Sequence, residues 1–128
     1  MPDLYDVAAI GNAIVDVIAP ATDDFLAANA LDKGAMMLVD EAQSAALYAK
    51  MSAGVEASGG SAANTIAGLA SFGGKGAFMG KVAADKLGDV FARDMRGIGA
   101  RFENEPLVGG PATAVSMINV TPDAQRTM

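Results

Sequence analysis

The sequence predicts an α/β fold: a parallel sheet flanked by helices, with a small extra β-sheet attached. Three observations predict it. Short apolar, β-branched runs alternate with helix-period segments from Val7 to Ile98, the pattern of a parallel α/β core. From Phe102 onward the chain reads as strands alone, which a small separate sheet would absorb. The 128 residues are 52% apolar and 19% charged, enough for one soluble domain with a core.

The elements follow in order. Val7 to Ala19 is apolar and β-branched apart from Gly11, Asn12 and Asp16, and reads as one strand. Strand periodicity places Asn12, Ile14 and Asp16 on one face and Ala13, Val15 and Val17 on the other. Thr22, Asp23 and Asp24 are N-cap candidates for a short helix, Phe25 to Asn29. Ala35 to Val39 reads as a second short strand, and Asp40 caps a helix from Glu41 to about Met51, with Leu47 and Met51 on its buried stripe. Val55 and Glu56 lead into a glycine pair. A helix of small residues runs from Ala62 to Phe72, with Ile66, Leu69 and Ala70 facing the core, and Gly73-Gly74 stops it. Ala77 to Val82 is the next strand. Asp85 caps a strongly periodic helix carrying Leu87, Val90, Phe91, Met95 and Ile98, and Asp89 and Arg93 are spaced for an i,i+4 pair. Phe102 to Val108 and Ala112 to Val120 read as strands, followed by a turn at Thr121–Gln125 and a strand starting at Arg126.

Composition excludes several functions. The net charge is -6 and the lysines form no cluster, so nucleic acid and anionic membrane are not expected partners. No apolar run approaches the ~20 residues of a membrane helix, and the N-terminal acids do not suit a signal peptide; a cytoplasmic protein is expected. Cysteine and histidine are both absent. That removes disulfides, thiol nucleophiles, His-based triads and Cys/His metal sites, and no metal site is expected. Acid–base chemistry would rest on Asp, Glu, Lys or Tyr.

The most informative stretch is Gly59-Gly60-Ser61-Ala62-Ala63-Asn64-Thr65, at the opening of a helix. Two glycines allow close backbone approach. The first N–H groups of a helix have no partner within it, and Asn64 offers both a donor and an acceptor. This is a device for binding a small polar molecule, although Ser61 also reads as a plain N-cap. Asp16 is a carboxylate in an apolar strand. It needs a cation or an opening into a cleft, and a carboxylate accepting two hydrogen bonds suits a vicinal diol. Met36 and Met37 read either as core filler or as a soft wall for a flat ligand. Arg126 follows an exposed turn, where a solvated arginine is the ordinary case. The glycines of Gly74-Lys75-Gly76-Ala77-Phe78-Met79-Gly80 run from helix into strand, the reverse of a dinucleotide-binding turn.

Together these segments resemble the N-terminal part of a PfkB-type, ribokinase-like sugar or nucleoside kinase. Gly11-Asn12-Ala13-Ile14-Val15-Asp16 is similar to that family's opening substrate motif, and Gly59-Gly60-Ser61-Ala62-Ala63-Asn64 to its glycine-pair signature. Gly80-Lys81-Val82-Ala83-Ala84-Asp85 with Gly88 resembles the following strand-to-helix segment, and Thr113 to Arg126 its lid hairpin. The adenosine-kinase-like branch is the nearer, having Ser and then Asn three residues later after the glycine pair. Ile66 and Ala83 depart from the broad family signature, at positions where small residues and glycine are usual.

The resemblance implies a ribokinase-like fold with a β-sheet lid. It implies that Asp16 binds ribose hydroxyls and that Asn12, Gly59, Gly60, Ser61 and Asn64 hold the sugar. It implies a base pocket lined by Met36 and Leu38, and an Arg126 near the transferred phosphate. The implied reaction is ATP- and Mg²⁺-dependent phosphorylation of a primary hydroxyl on a sugar or, preferentially, an adenosine-like nucleoside. The family's Gly-Ala-Gly-Asp segment, with its catalytic base and anion hole, does not occur here. Residues 1–128 are therefore expected to be the substrate-binding and lid portion of one kinase domain, inactive alone. A non-catalytic sugar- or nucleoside-binding module is the alternative, and pairing of lid strands into a homodimer is a third expectation.

Overall fold

A computed structural model of the protein describes residues 4–128. Its elements are β1 (Val7–Ile10), β2 (Ile14–Pro20), α1 (Asp23–Ala28), α2 (Glu41–Lys50), β3 (Val55–Gly59), α3 (Ser61–Ser71), β4 (Gly76–Met79), α4 (Lys86–Gly97), β5 (Ala114–Val120) and β6 (Arg126–Thr127). The chain divides into two compact units. Unit 1 holds the chain up to Val15 and Ala57–Ala114; unit 2 holds Asp16–Glu56 and Val115–Met128.

Unit 1 is the α/β part. β1 and β4 pair in parallel, Val7 opposite Gly76 through Ile10 opposite Met79, as a strand–helix–strand crossover requires. Gly76 has no room for a side chain, because a Cβ there would sit 2.8 Å from the Ile66 side chain of α3. The core is a trio of rings, Phe78, Phe91 and Phe102, with centroids 5.6, 6.0 and 5.2 Å apart. Ile66, Val90 and Met95 are buried with them. Among the periodic residues of α4, Val90, Phe91 and Met95 are buried as the spacing predicts, whereas Ile98 at the C-cap is exposed.

Unit 2 carries most of a four-stranded sheet in the order β3-β2-β5-β6. β5 and β6 form an antiparallel hairpin, Asn119 opposite Thr127 and Val120 opposite Arg126. In its turn the Thr121 hydroxyl donates to Asp123 at 2.6 Å. Lys33 bridges Asp123 and Asp23, both at 2.7 Å, so the turn is tied to the start of α1. Hydrogen bonds from Lys33 and Thr121 pull the Asp123 carboxyl down to about 2. Thr22 caps α1 and Asp40 makes a full capping box on α2.

Several expectations are corrected. The long first strand is two strands, broken at Gly11–Ala13, where the Gly11 N–H bonds to the Met79 carbonyl. Asn12 lies in this break rather than on the strand face shared by Ile14 and Asp16. The buried alternation of Ala13, Val15, Val17 and Ala19 is as predicted. Ala35–Val39 is not a strand; instead Met37 donates to Met128 and Met128 donates to Ala35, alongside β6. The approach to the glycine pair is a strand, β3, and Phe102–Val108 is not one, making only bridges through Arg101 and Leu107. Arg93 pairs with the adjacent Asp94 at 3.1 Å rather than reaching one turn back to Asp89. Among the described residues no helix is long and apolar enough to cross a membrane.

The ring trio should carry unit 1. Phe91→Ala removes one of the three mutually contacting rings, and urea denaturation should show a loss of about 3–5 kcal/mol. A loss below about 1 kcal/mol would mean the trio is not the core.

Candidate functional site

The candidate residues fall in both units, and each set is built by its own local structure. In unit 1 the glycine pair enters α3 with Gly60 at φ 96°, ψ 142°, a conformation that favours glycine. A Cβ on Gly60 would stand 2.7 Å from the Asn12 carbonyl oxygen, and one on Gly11 would stand 2.8 Å from the Ala62 Cβ. The Gly11–Asn12 break is thus packed directly on the start of α3. Gly60, not Ser61, is the N-cap residue, and no side chain caps the helix. Ser61 is the first helical residue, exposed, so its N-cap reading does not hold; its carbonyl accepts from the Thr65 hydroxyl. Asn64 completes the first turn through its own N–H to the Gly60 carbonyl, and its side chain is exposed. An α3 start without a side-chain cap, with an exposed Asn on its first turn, is suited to a hydroxyl or anionic oxygen.

Asn12 also borders a cleft of about 620 Å³ in unit 1, with Gly80, Lys81, Asn104 and Leu107 among its lining. The glycine pair and Asn64 do not line it. Asn104 accepts from the Gly80 N–H at 3.2 Å, and Lys81 donates to the Glu105 carbonyl. Sequence reasoning missed Asn104, because a strand assignment over Phe102–Val108 hid a side chain that serves the Gly80 turn.

In unit 2, Asp16 sits half-buried on β2. Burial pushes its carboxyl up from 3.8. Met36 and Met37 are 70% and 46% exposed, so their core-filler reading fails, and Leu38 is 90% exposed. Its backbone is held by the bonds to Met128 and by the Gly34 N–H donating to the Thr127 hydroxyl at 2.9 Å, which leaves the side chains outside the core. Arg126 is exposed on β6. Among the described residues no group of three or more acidic side chains could hold a metal ion.

Comparison with known proteins gives a consistent picture. The family described as pfkB family carbohydrate kinase matches residues 6–128. An adenosine kinase from Sinorhizobium meliloti shares 54% identity at a TM-score of 0.82, over 97% of this chain and 38% of its own. A probable sugar kinase protein from Rhizobium etli CFN 42 shares 49% identity at the same TM-score of 0.82, with 97% and 38% covered. The adenosine kinase of Anopheles gambiae, solved with P1,P4-di(adenosine-5) tetraphosphate, shares the fold at 20% identity and a TM-score of 0.78, over 94% of this chain and 39% of its own. The chain therefore spans well under half the length of these structures. Comparison with curated protein sequences gave no match.

Two stability tests follow from the geometry. Gly60→Ala should cost about 1–3 kcal/mol in urea denaturation, from its positive φ and the clash with Asn12. Asp16→Asn should do the reverse. Its folded pKa is raised, so the fold favours the protonated acid; stability is fullest below the unfolded value near 3.8 and is lost as pH rises through the folded one. At neutral pH the Asn variant should melt about 1–3 °C higher than the parent, with the gap closing on acidification. A lower melting temperature for the variant at neutral pH would show that the charge is compensated within the fold.

Proposed function

The chain belongs to the pfkB carbohydrate kinase family, and from that premise we propose that it forms the substrate-binding and lid portion of an ATP-dependent kinase acting on a primary hydroxyl of a sugar or nucleoside. The observation that carries the reading is the family match over residues 6–128, which includes Asn12, Asp16, the glycine pair and Asn64. Likeness at 54% identity to a protein named adenosine kinase favours a nucleoside; likeness at 49% to one named a probable sugar kinase keeps a sugar as the other substrate class.

In this reading Asp16 accepts hydrogen bonds from two adjacent ribose hydroxyls. The burial that raises its pKa in the free protein is offset by those two donors on binding. Asn12 and Asn64 contribute side-chain amides to the sugar. Gly59 and Gly60 let backbone come close, and Ser61 lies at the helix start where an exposed hydroxyl can reach the same ligand. Met36 and Leu38 form an apolar wall for the base, and Arg126 adds positive charge toward the transferred phosphate. ATP supplies the phosphoryl group, with Mg²⁺ to neutralise its charge, in the complete enzyme. The base that takes the hydroxyl proton, and the residues that cradle ATP, are assigned outside this chain, which alone binds without turning over.

The test is ATP-dependent phosphorylation of adenosine and of a panel of sugars by the full-length protein. Adenosine should give the highest kcat/KM, and Asp16→Asn should lower it by about 100-fold, chiefly through KM. Binding of nucleoside with no phosphorylated product from any substrate would put a binding module in place of the kinase. An unchanged KM in the Asn variant would remove Asp16 from the sugar site.

A further inference from the structure

α4 does more than pack. Two carboxylates at its two ends reach chain segments that lie beside the points where the backbone passes between the units. At the N-terminal end, Asp85 accepts from the Gly88 N–H at 2.7 Å, the ordinary N-cap bond. It also accepts from the Thr113 N–H at 2.9 Å and from the Thr113 hydroxyl at 2.7 Å. That hydroxyl in turn accepts from the Ala83 N–H at 2.9 Å. Thr113 is buried, and it immediately precedes β5, whose second residue, Val115, begins the return into unit 2. Near the C-terminal end, Asp94 accepts from the Ser58 N–H at 2.9 Å. Ser58 follows the other crossing, between Glu56 and Ala57, and precedes the glycine pair.

A helix needs only the Gly88 bond from its cap. The two bonds to Thr113 and the one to Ser58 serve nothing inside α4. Gly88 shows how tightly the first of these joints is built, since a Cβ there would stand 2.1 Å from the Ala83 carbonyl oxygen and 3.2 Å from both Asp85 and Thr113 side-chain oxygens. The Asp85 carboxyl has burial pushing it up, but the three hydrogen bonds together outweigh this and hold it below its usual range. It is charged wherever the protein is folded near neutrality, and charge-assisted bonds are the stronger kind.

We infer that Asp85 and Asp94 are positioning residues that make α4 a fixed clamp on one strand that enters unit 1 and one that leaves it, Asp94 holding the end of β3 that presents Gly59 and Gly60 and Asp85 holding the root of β5. The clamp itself stands on the hydrogen bonds; its consequence for substrate rests on the kinase reading. Asp94 holds the glycine pair in register with Asn12, and Asp85 holds Thr113 at the start of β5.

The test uses the full-length protein and two readouts. Hydrogen exchange is followed by mass spectrometry on peptides covering residues 57–60, 81–88 and 111–116. Asp85→Ser separates capping from clamping, because serine caps helices well but is too short and too poor in acceptors to hold Thr113 as well. Asp85→Ser should raise exchange in the 111–116 peptide by about tenfold or more while leaving α4 protected. Thr113→Val should do the same and Thr113→Ser should not. Asp94→Ala should raise exchange at 57–60 alone, and Asp94→Asn, which keeps an acceptor for Ser58, should restore it. In the kinase assay Asp94→Ala should raise the KM for the phosphoryl acceptor about 3- to 10-fold with kcat changed less than twofold, rescued by Asn. Unchanged exchange at 111–116 in Asp85→Ser, or equal behaviour of Asp94→Ala and Asp94→Asn, would overturn the clamp. Loss of protection throughout unit 1 in Thr113→Ser as well as Thr113→Val would also overturn it, as packing rather than the hydroxyl would then be at work. If the parent protein phosphorylates nothing, the kinase reading fails while the exchange data still decide the clamp.

Discussion

The approach of Gly60 to the Asn12 carbonyl, with 2.7 Å left for a Cβ that is not there, is the constraint on which unit 1's candidate site depends. Any side chain at Gly60 would push the start of α3 away from the break after β1. Gly11, in the same break, enforces the same closeness against Ala62. The consequence is a helix whose first N–H groups are not capped by a side chain. Helix ends are normally satisfied from within the protein. Here the glycines that allow the contact also deny the helix a polar cap residue, and Asn64 stands exposed at the same turn.

Three aspartates show how environment divides one chemical group into different roles. Asp123 is exposed in a turn, and Lys33 and Thr121 bring its carboxyl to about 2; it fastens the hairpin turn that precedes Arg126. Asp85 is pushed up by burial and brought below its usual range by three donors; it fastens backbone. Asp16 feels burial above all, and its carboxyl is raised. A carboxylate that folding disfavours in its charged form is an acceptor held ready for donors arriving from outside. The proposed function gives it those donors.

In unit 2 the apolar row at Met36 and Leu38 has a related logic. Large apolar side chains left 70% and 90% exposed contribute little to folding. Their backbone is nonetheless fixed by bonds to Met128 and Thr127, so the row has a defined place without belonging to a core. Such a surface is ordered and apolar, properties that a flat heterocycle would use.

Much of this was legible in the sequence. Helical spacing located α4, because Val90, Phe91 and Met95 repeat on one face whatever surrounds them. Asp40, Asp85 and Thr22 announced helix starts, since capping is settled within three residues. The buried alternation from Ala13 to Ala19 was equally local, and the two family motifs named Asn12, Asp16, the glycine pair and Asn64. What the sequence could not decide was anything requiring a partner distant along the chain. Whether Ala35–Val39 became a strand depended on Met128, and whether Phe102–Val108 did depended on how much of it β4 could reach. The seating of the Gly11–Asn12 break on the start of α3 depended on Gly60 and Ala62, and the choice of Gly60 over Ser61 as cap goes with the close contact to Asn12. Asp85 read only as a cap and Asp94 was not singled out at all, because Thr113 and Ser58 lie 28 and 36 residues away. Local sequence specifies dihedral preference and capping, whereas hydrogen bonds between remote segments exist only once the chain has closed those loops.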